Sequence, residues 1–132
     1  MGNRHIHNTY TNVFINFSNH PSSNWDDEQL QQAQMLAHGN IVDIPFPCVD
    51  SAGDEEYIKE LALNYVKKIC AYHPDAVMCQ GEFGLSYLVV KLLKEQNVHV
   101  VYSCSKRIVN EENTKDGIIK TSKFKFVRFR EY

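Results

Sequence analysis

Three times between residues 12 and 97 a short run rich in apolar residues is followed by a longer segment with helical spacing, and a fourth apolar run closes the series. The runs are "NVFINFS" (12–18), "NIVDIPF" (40–46), "PDAVMCQ" (74–80) and "VHVVYSC" (98–104). No other feature constrains the fold as much. Strands separated by helices of this length pair in parallel through right-handed crossovers, not as hairpins. Short runs dense in Val and Ile fit strands covered on both faces. The expected class is α/β: a Rossmann-like three-layer sandwich with a mainly parallel four-strand sheet in the order 2-1-3-4.

The helical segments carry their own punctuation. "DDEQLQQAQMLAHG" opens with Asp26, Asp27 and Glu28, has Asn24 as a candidate N-cap and reaches Gly39 as a stop. In "DEEYIKELALNYVKKICAY", residues Ile58, Leu61, Ala62, Tyr65, Val66 and Ile69 form one apolar stripe, and Ser51 with Asp54 resembles a capping box. A third helix is expected from about Phe83 to Gln96, with Leu85, Leu88, Val89, Leu92 and Leu93 on one face. The prolines of "PFP" (45–47) end the second strand, because proline cannot continue a central ladder.

The segment from 105 to 132, "SKRIVNEENTKDGIIKTSKFKFVRFREY", lacks a helical period. Two β-like runs flank the turn signal "KDG", so a C-terminal hairpin is expected. Its last strand interleaves Lys123, Lys125, Arg128 and Arg130 with Phe124, Phe126 and Phe129. Such a pattern can stack bases and meet phosphates. The simpler reading is an amphipathic edge strand kept soluble by charge, with a dimer contact as the next use. Residues 1–12 are polar and aperiodic and read as a flexible arm, leaving 13–132 as a single domain.

Composition narrows the classes. With 132 residues, 43% hydrophobic and 23% charged, the chain is the size of one globular domain and can bury roughly two thirds of its unfolded surface. No run approaches the ~20 apolar residues of a membrane span, and the first residues have no apolar core like that of a secretory signal. The net charge of −2 argues against a general nucleic-acid coat protein, so neither duplex DNA nor membrane is expected as a partner. Cys48, Cys70, Cys79 and Cys104 form no C-x-x-C pair. They read as reduced thiols, three of them in apolar segments, which places the chain in the cytoplasm.

In an open parallel sheet, ligands bind outside the carboxyl ends of the strands. That rule selects "SNHPSSNW", "PFPCVD", "QGEFG" and "SKR". Candidate ligand contacts are Ser18, Asn19, Ser22, Ser23, Trp25, Gln80, Gly81, Glu82, Phe83 and Ser105. His20 is the candidate acid or base, since its unperturbed pKa lies near neutrality. Lys106 and Arg107 are adjacent cations suited to phosphate charge. Trp25 can stack a base or anchor a helix start, and Glu82 can meet a ribose or simply cap the third helix. "QGEFG" lacks the spacing and the lysine of a phosphate loop. No grouping of Asp43, Asp50 and Glu82 has metal-site spacing, so neither a metal nor a cofactor is expected.

The strings "INFSNHPSSNW", "IVDIPFPCVD", "MCQGEFGLSYLVVKLLKE" and "FKFVRFREY" resemble the small stand-alone CRISPR-associated proteins with a CARF-like Rossmann fold, some of them ring nucleases of type III systems. The likeness spans about residues 13 to 132. It implies an antiviral-defence homodimer that holds a cyclic oligoadenylate across its two-fold axis. It also implies metal-independent cleavage, in which a ribose 2′-hydroxyl attacks its own phosphate and leaves a 2′,3′-cyclic phosphate. On that reading Lys106 and Arg107 stabilise charge, His20 moves the proton, Ser18, Ser22 and Ser23 bond the phosphate, and Gln80 and Glu82 meet adenine or ribose. Three alternatives stand beside it. One is a sensor or sponge that binds the ring without cutting it. Another is a nucleoside deoxyribosyltransferase-like or N-glycosidase enzyme using Glu82 as nucleophile. The third is an interaction domain with no small ligand, whose aromatic and basic terminus docks a partner.

Overall fold

The protein is described from a computed structural model covering residues 12–132. Apart from Asn12, the expected arm lies outside the described residues. The elements run β1 (Val13–Ser18), α1 (Asp27–Ala37), β2 (Asn40–Pro45), α2 (Glu55–Cys70), β3 (Ala76–Cys79), α3 (Phe83–Glu95), β4 (Val100–Thr114) and β5 (Gly117–Glu131). A single 3₁₀ turn, Ser22–Asn24, precedes α1.

The five strands form one sheet in the order β2-β1-β3-β4-β5. The first four are parallel; β5 is antiparallel to β4. The sheet is therefore mixed and five-stranded, not a mainly parallel four-strand sheet, and the expected C-terminal hairpin extends it, with β4 itself as the first arm. Strand four does not stop at Cys104. It continues as the first arm of the hairpin to Thr114, because rung-by-rung pairing with β5 holds "SKRIVNEENT" extended although its Asn and Glu residues have little strand preference of their own. The ribbon turns at Lys115–Asp116, and Gly117 takes a φ of 123°, a conformation side chains rarely tolerate.

Capping also differs in detail. Asp26, not Asn24, caps α1, its carboxylate accepting the Gln29 N–H at 2.8 Å. Asp54 itself caps α2, accepting the Tyr57 N–H at 2.9 Å, so Ser51 does not form the box with it. His38, in the left-handed region, ends α1 one residue before Gly39.

Both sheet faces are covered near the body. On one face α1 packs over Phe14, Ala76, Met78, Val101, Phe126 and Phe129 through Ala33 and Ala37. On the other, α2 and α3 bury Ile15, Phe17, Val77, Cys79 and Val100 under Ala62, Val66, Ile69, Leu85, Val89 and Leu93. Double coverage explains why β1 is buried at all six positions. The chain moves outward from β1 to β2 and then returns across β1 to β3. The carboxyl ends of β1 and β3 therefore flank a topological switch point, where crossovers diverge and leave a crevice.

Candidate functional site

The loop after β1 is fixed by side chains of the sheet. Asn16, 1% exposed at the fourth position of β1, donates through Nδ2 to the His20 carbonyl at 2.8 Å and to Asp43 Oδ1 at 3.0 Å. Ser18, 4% exposed, donates its hydroxyl to Asn16 Oδ1 at 2.7 Å and accepts the His20 N–H at 3.1 Å. From β2, Asp43 accepts both the N–H and the hydroxyl of Ser22, each at 3.1 Å to Oδ2. The indole of Trp25 donates to the same His20 carbonyl at 3.1 Å. Five side chains thus hold the backbone of "SNHPSSNW" against the sheet.

The His20 imidazole is different. It makes no hydrogen bond among the described residues and faces a cleft of about 430 Å³ between the start of α1, the end of β3 and the first half of β4. Gln80, Ser103, Ser105 and Phe124 share that cleft, with Asn24, Gln29, Met78 and the rim of Trp25 completing it. Its volume falls in the range of small-ligand sites. Gln80 closes the floor by accepting the Ser103 N–H through Oε1. The loop after β1, the end of β3 and the early part of β4 therefore meet at this cleft, whereas no residue of "PFPCVD" lines it.

The remaining candidate residues are distributed unevenly. Ser18 and Ser22 are committed to Asn16 and Asp43, so their hydroxyls anchor the loop instead of presenting themselves to a phosphate. Trp25 is 8% exposed and sits edge-on to Phe14 with ring centroids 6.1 Å apart. It is a core anchor with one edge on the cleft, not a free stacking platform. Asn19 and Ser23 are exposed on the loop outside the cleft. Glu82 caps α3, accepting the Leu85 N–H at 2.7 Å. Lys106 and Arg107 are exposed on the extension of β4 and pair in register with Lys125 and Phe124. Neighbouring residues of a strand face opposite ways, so the two cations do not act as a pair. Arg107 shares a face with Phe124 and the cleft; Lys106 points to the other side.

Gly81 and Phe83 line a second cavity of about 470 Å³ on the opposite face of the sheet, with Tyr87, Tyr102 and Tyr132. Close approach at Gly81 is to protein: a Cβ there would lie 2.5 Å from the Phe46 ring, which packs on Phe17 at 4.7 Å between centroids. Gly81→Val is expected to destabilise the fold by about 1–3 kcal/mol through this overlap, measurable as a lower urea midpoint.

Sequence reasoning missed Asn16 and gave Asp43 no role in the loop. A polar residue inside the apolar run "VFINF" was the available signal, since a fully buried amide requires partners. None of the four cysteines forms a disulfide. Burial pushes the Cys79 thiol up to about 12, the Ser86 hydroxyl opposing in part. Burial also raises Tyr132 to about 12; its hydroxyl donates to the Cys79 carbonyl at 2.6 Å. Both groups are neutral in the folded state at pH values where the unfolded chain ionises, from 9.0 for the thiol and 10.0 for the phenol. Stability from this source is complete below pH 9.0 and is lost as pH climbs towards about 12. Urea midpoints are expected to fall through that window, and Cys79→Ala should flatten the part that begins near 9.0.

Among the described residues no group of three or more His, Cys, Asp or Glu side chains is placed to hold a metal ion. No described helix is long and apolar enough to cross a membrane.

Comparison with known proteins adds a family. A family model described as "Uncharacterized protein MJ1673 family" matches residues 12–130. The chain belongs to the MJ1673 family. A relative from Methanocaldococcus jannaschii, "Uncharacterized protein MJ1673", is 40% identical over 58 residues, 44% of this chain and 45% of the relative. The match thus spans less than half of that curated relative's length. No solved structure matches. The MJ1673 family match includes β1 through nearly all of β5, so both the switch-point cleft and the β4–β5 ribbon lie within it.

Proposed function

We propose that this chain binds a cyclic oligoadenylate at the switch-point cleft and cleaves it as a ring nuclease. The observation that carries the reading is the unbonded His20 imidazole, held by a fixed backbone over a cleft it shares with Gln80, Ser103 and Ser105. The reaction breaks the bond from phosphorus to the 5′ oxygen. The adjacent ribose 2′-hydroxyl attacks in line, His20 takes its proton, water protonates the leaving 5′ oxygen on the opposite side of phosphorus, and a 2′,3′-cyclic phosphate remains. Ser103 and Ser105 offer hydroxyls to the phosphate, Arg107 approaches from the same face to balance charge on the phosphorane, and Phe124 supplies a ring for a base.

A ring of repeating units is larger than one cleft of this size, and a two-fold pair of copies presents the same edge twice. A homodimer with a Rossmann-like, CARF-like body, acting without a metal in the cytoplasm as part of CRISPR-associated defence, belongs to the same proposal. Incubation with cyclic oligoadenylates, followed by chromatography of the products, tests it. Linear products ending in a 2′,3′-cyclic phosphate are expected. Quantitative recovery of intact rings, with binding retained, would establish the sensor or sponge instead. The glycosidase reading loses support, because the Glu82 carboxylate bonds Leu85 at the α3 N-terminus and lines neither cavity.

A further inference from the structure

Beyond Phe126 the β4–β5 ladder leaves the body of the molecule. Every residue from Ser105 to Lys125 is exposed except the half-buried Ile108. Directly opposed residues of an antiparallel ladder share a face, and successive rungs alternate. On the α3 side the rungs read Tyr102 with Arg130, Lys106 with Lys125, and Ile108 with Lys123; at the bulge between them Cys104 lies opposite Arg128, which lines a cavity on the α1 face. The first rung is confirmed by contact: Arg130 Nη1 donates to the Tyr102 hydroxyl at 3.3 Å, and its guanidinium carbon lies 5.7 Å from the ring centroid.

No acidic residue occurs on these rungs; Glu112, opposite Ile119, is the first. Lys106, Lys123 and Lys125 form no ion pair among the described residues, whereas Lys120 on the other face pairs with Glu111 at 3.4 Å. At the body end the same face runs into the aromatic cavity of about 470 Å³. There Phe83 is 92% exposed, Tyr87 is 66% exposed, and Tyr102 packs on Tyr132 at 4.9 Å between centroids. Unpaired cations leading into exposed rings match a charged chain that carries flat bases.

We propose that this face of the ribbon binds single-stranded nucleic acid, with phosphates along Lys106, Lys125 and Lys123 and bases on Phe83 and Tyr87. Its charge is local, so it is compatible with a chain of net charge −2. It lies across the sheet from the His20 cleft and does not rest on the nuclease reading.

Fluorescence anisotropy with a labelled single-stranded oligoribonucleotide, its deoxy counterpart and the matching duplex tests the proposal. Binding of single strands over duplex is expected, with affinity falling against salt at a logarithmic slope of about −2 for three lysine contacts. The ribo and deoxy arms show which sugar is preferred. Joint replacement Lys106→Glu, Lys123→Glu and Lys125→Glu should lower affinity about 100-fold or more with an unchanged circular-dichroism melt. Phe83→Ala with Tyr87→Ala should lower it about 10-fold or more with the salt slope retained. The His20→Ala protein should bind as the parent does, which separates this site from the cleft. Absence of binding at low salt, equal affinity for duplex, or indifference to the lysine replacements would overturn the proposal. So would sedimentation showing that the three lysines hold two copies together while no oligonucleotide binds.

Discussion

Replacing His20 by alanine is expected, on the proposed ring-nuclease reading, to slow cleavage of cyclic oligoadenylate by about 10²–10⁴-fold while leaving the thermal midpoint and ligand affinity near those of the parent. The structural part of His20 is its backbone: the carbonyl accepts Asn16 Nδ2 and Trp25 Nε1, and the N–H donates to Ser18. Alanine keeps all three bonds. Only the imidazole is removed, and it contributes no hydrogen bond to the fold. Rates with purified variant and parent, measured together with calorimetric binding, check the separation. Partial recovery with added imidazole would tie the loss to proton transfer. A variant that cleaves at the parental rate would remove His20 from the chemistry and leave the cleft as a binding site.

Replacing Asn16 by leucine is expected to produce the largest loss of stability at the site, about 3 kcal/mol. Leucine keeps the branched outline but is bulkier, takes the Asn16 acceptor from the Ser18 hydroxyl and removes one donor from each of His20 and Asp43. For a domain of this size the loss corresponds to a fall in melting temperature of roughly 10 °C. Because Asn16 ties β1, β2 and the loop together, binding at the cleft should weaken as well. Ser18→Ala removes one hydroxyl from the same network and should cost about 1 kcal/mol. The double replacement should cost less than the sum of the two, since each single change already breaks the Ser18–Asn16 bond. Additive losses would show that the network does not act as a unit.

"SNHPSSNW" is both a built connection and the wall of a cleft. Asn16, Ser18, Ser22, Asp43 and Trp25 hold it, and His20 is what it presents. The local pattern marked the loop as polar, but polarity does not distinguish a hydroxyl that faces solvent from one bonded to a buried amide. That distinction depends on Asp43, which lies 27 residues from Asn16 in the chain and reaches it only because β2 pairs with β1.

The ribbon carries a similar lesson. Lys106 and Arg107 are adjacent in the sequence and were expected to serve one phosphate. Extended backbone turns them to opposite faces. The bulge at Cys104/Ser105 then sets the register that puts Arg107 opposite Phe124 and Lys106 opposite Lys125. Adjacency along the chain is therefore a poor guide to a shared site once the segment is a strand.

The α/β alternation, the three helices and the turn at "KDG" were determined by the sequence alone. These follow from periodicity and local backbone preference, which act within a few residues. Tertiary structure alone decided the strand order, that β4 runs on into the hairpin, that Gln80 and His20 meet at one cleft, and that Ser18 and Ser22 bond to Asn16 and Asp43. Those outcomes depend on which segments become neighbours when the sheet closes its two cores, and no local spacing records that choice.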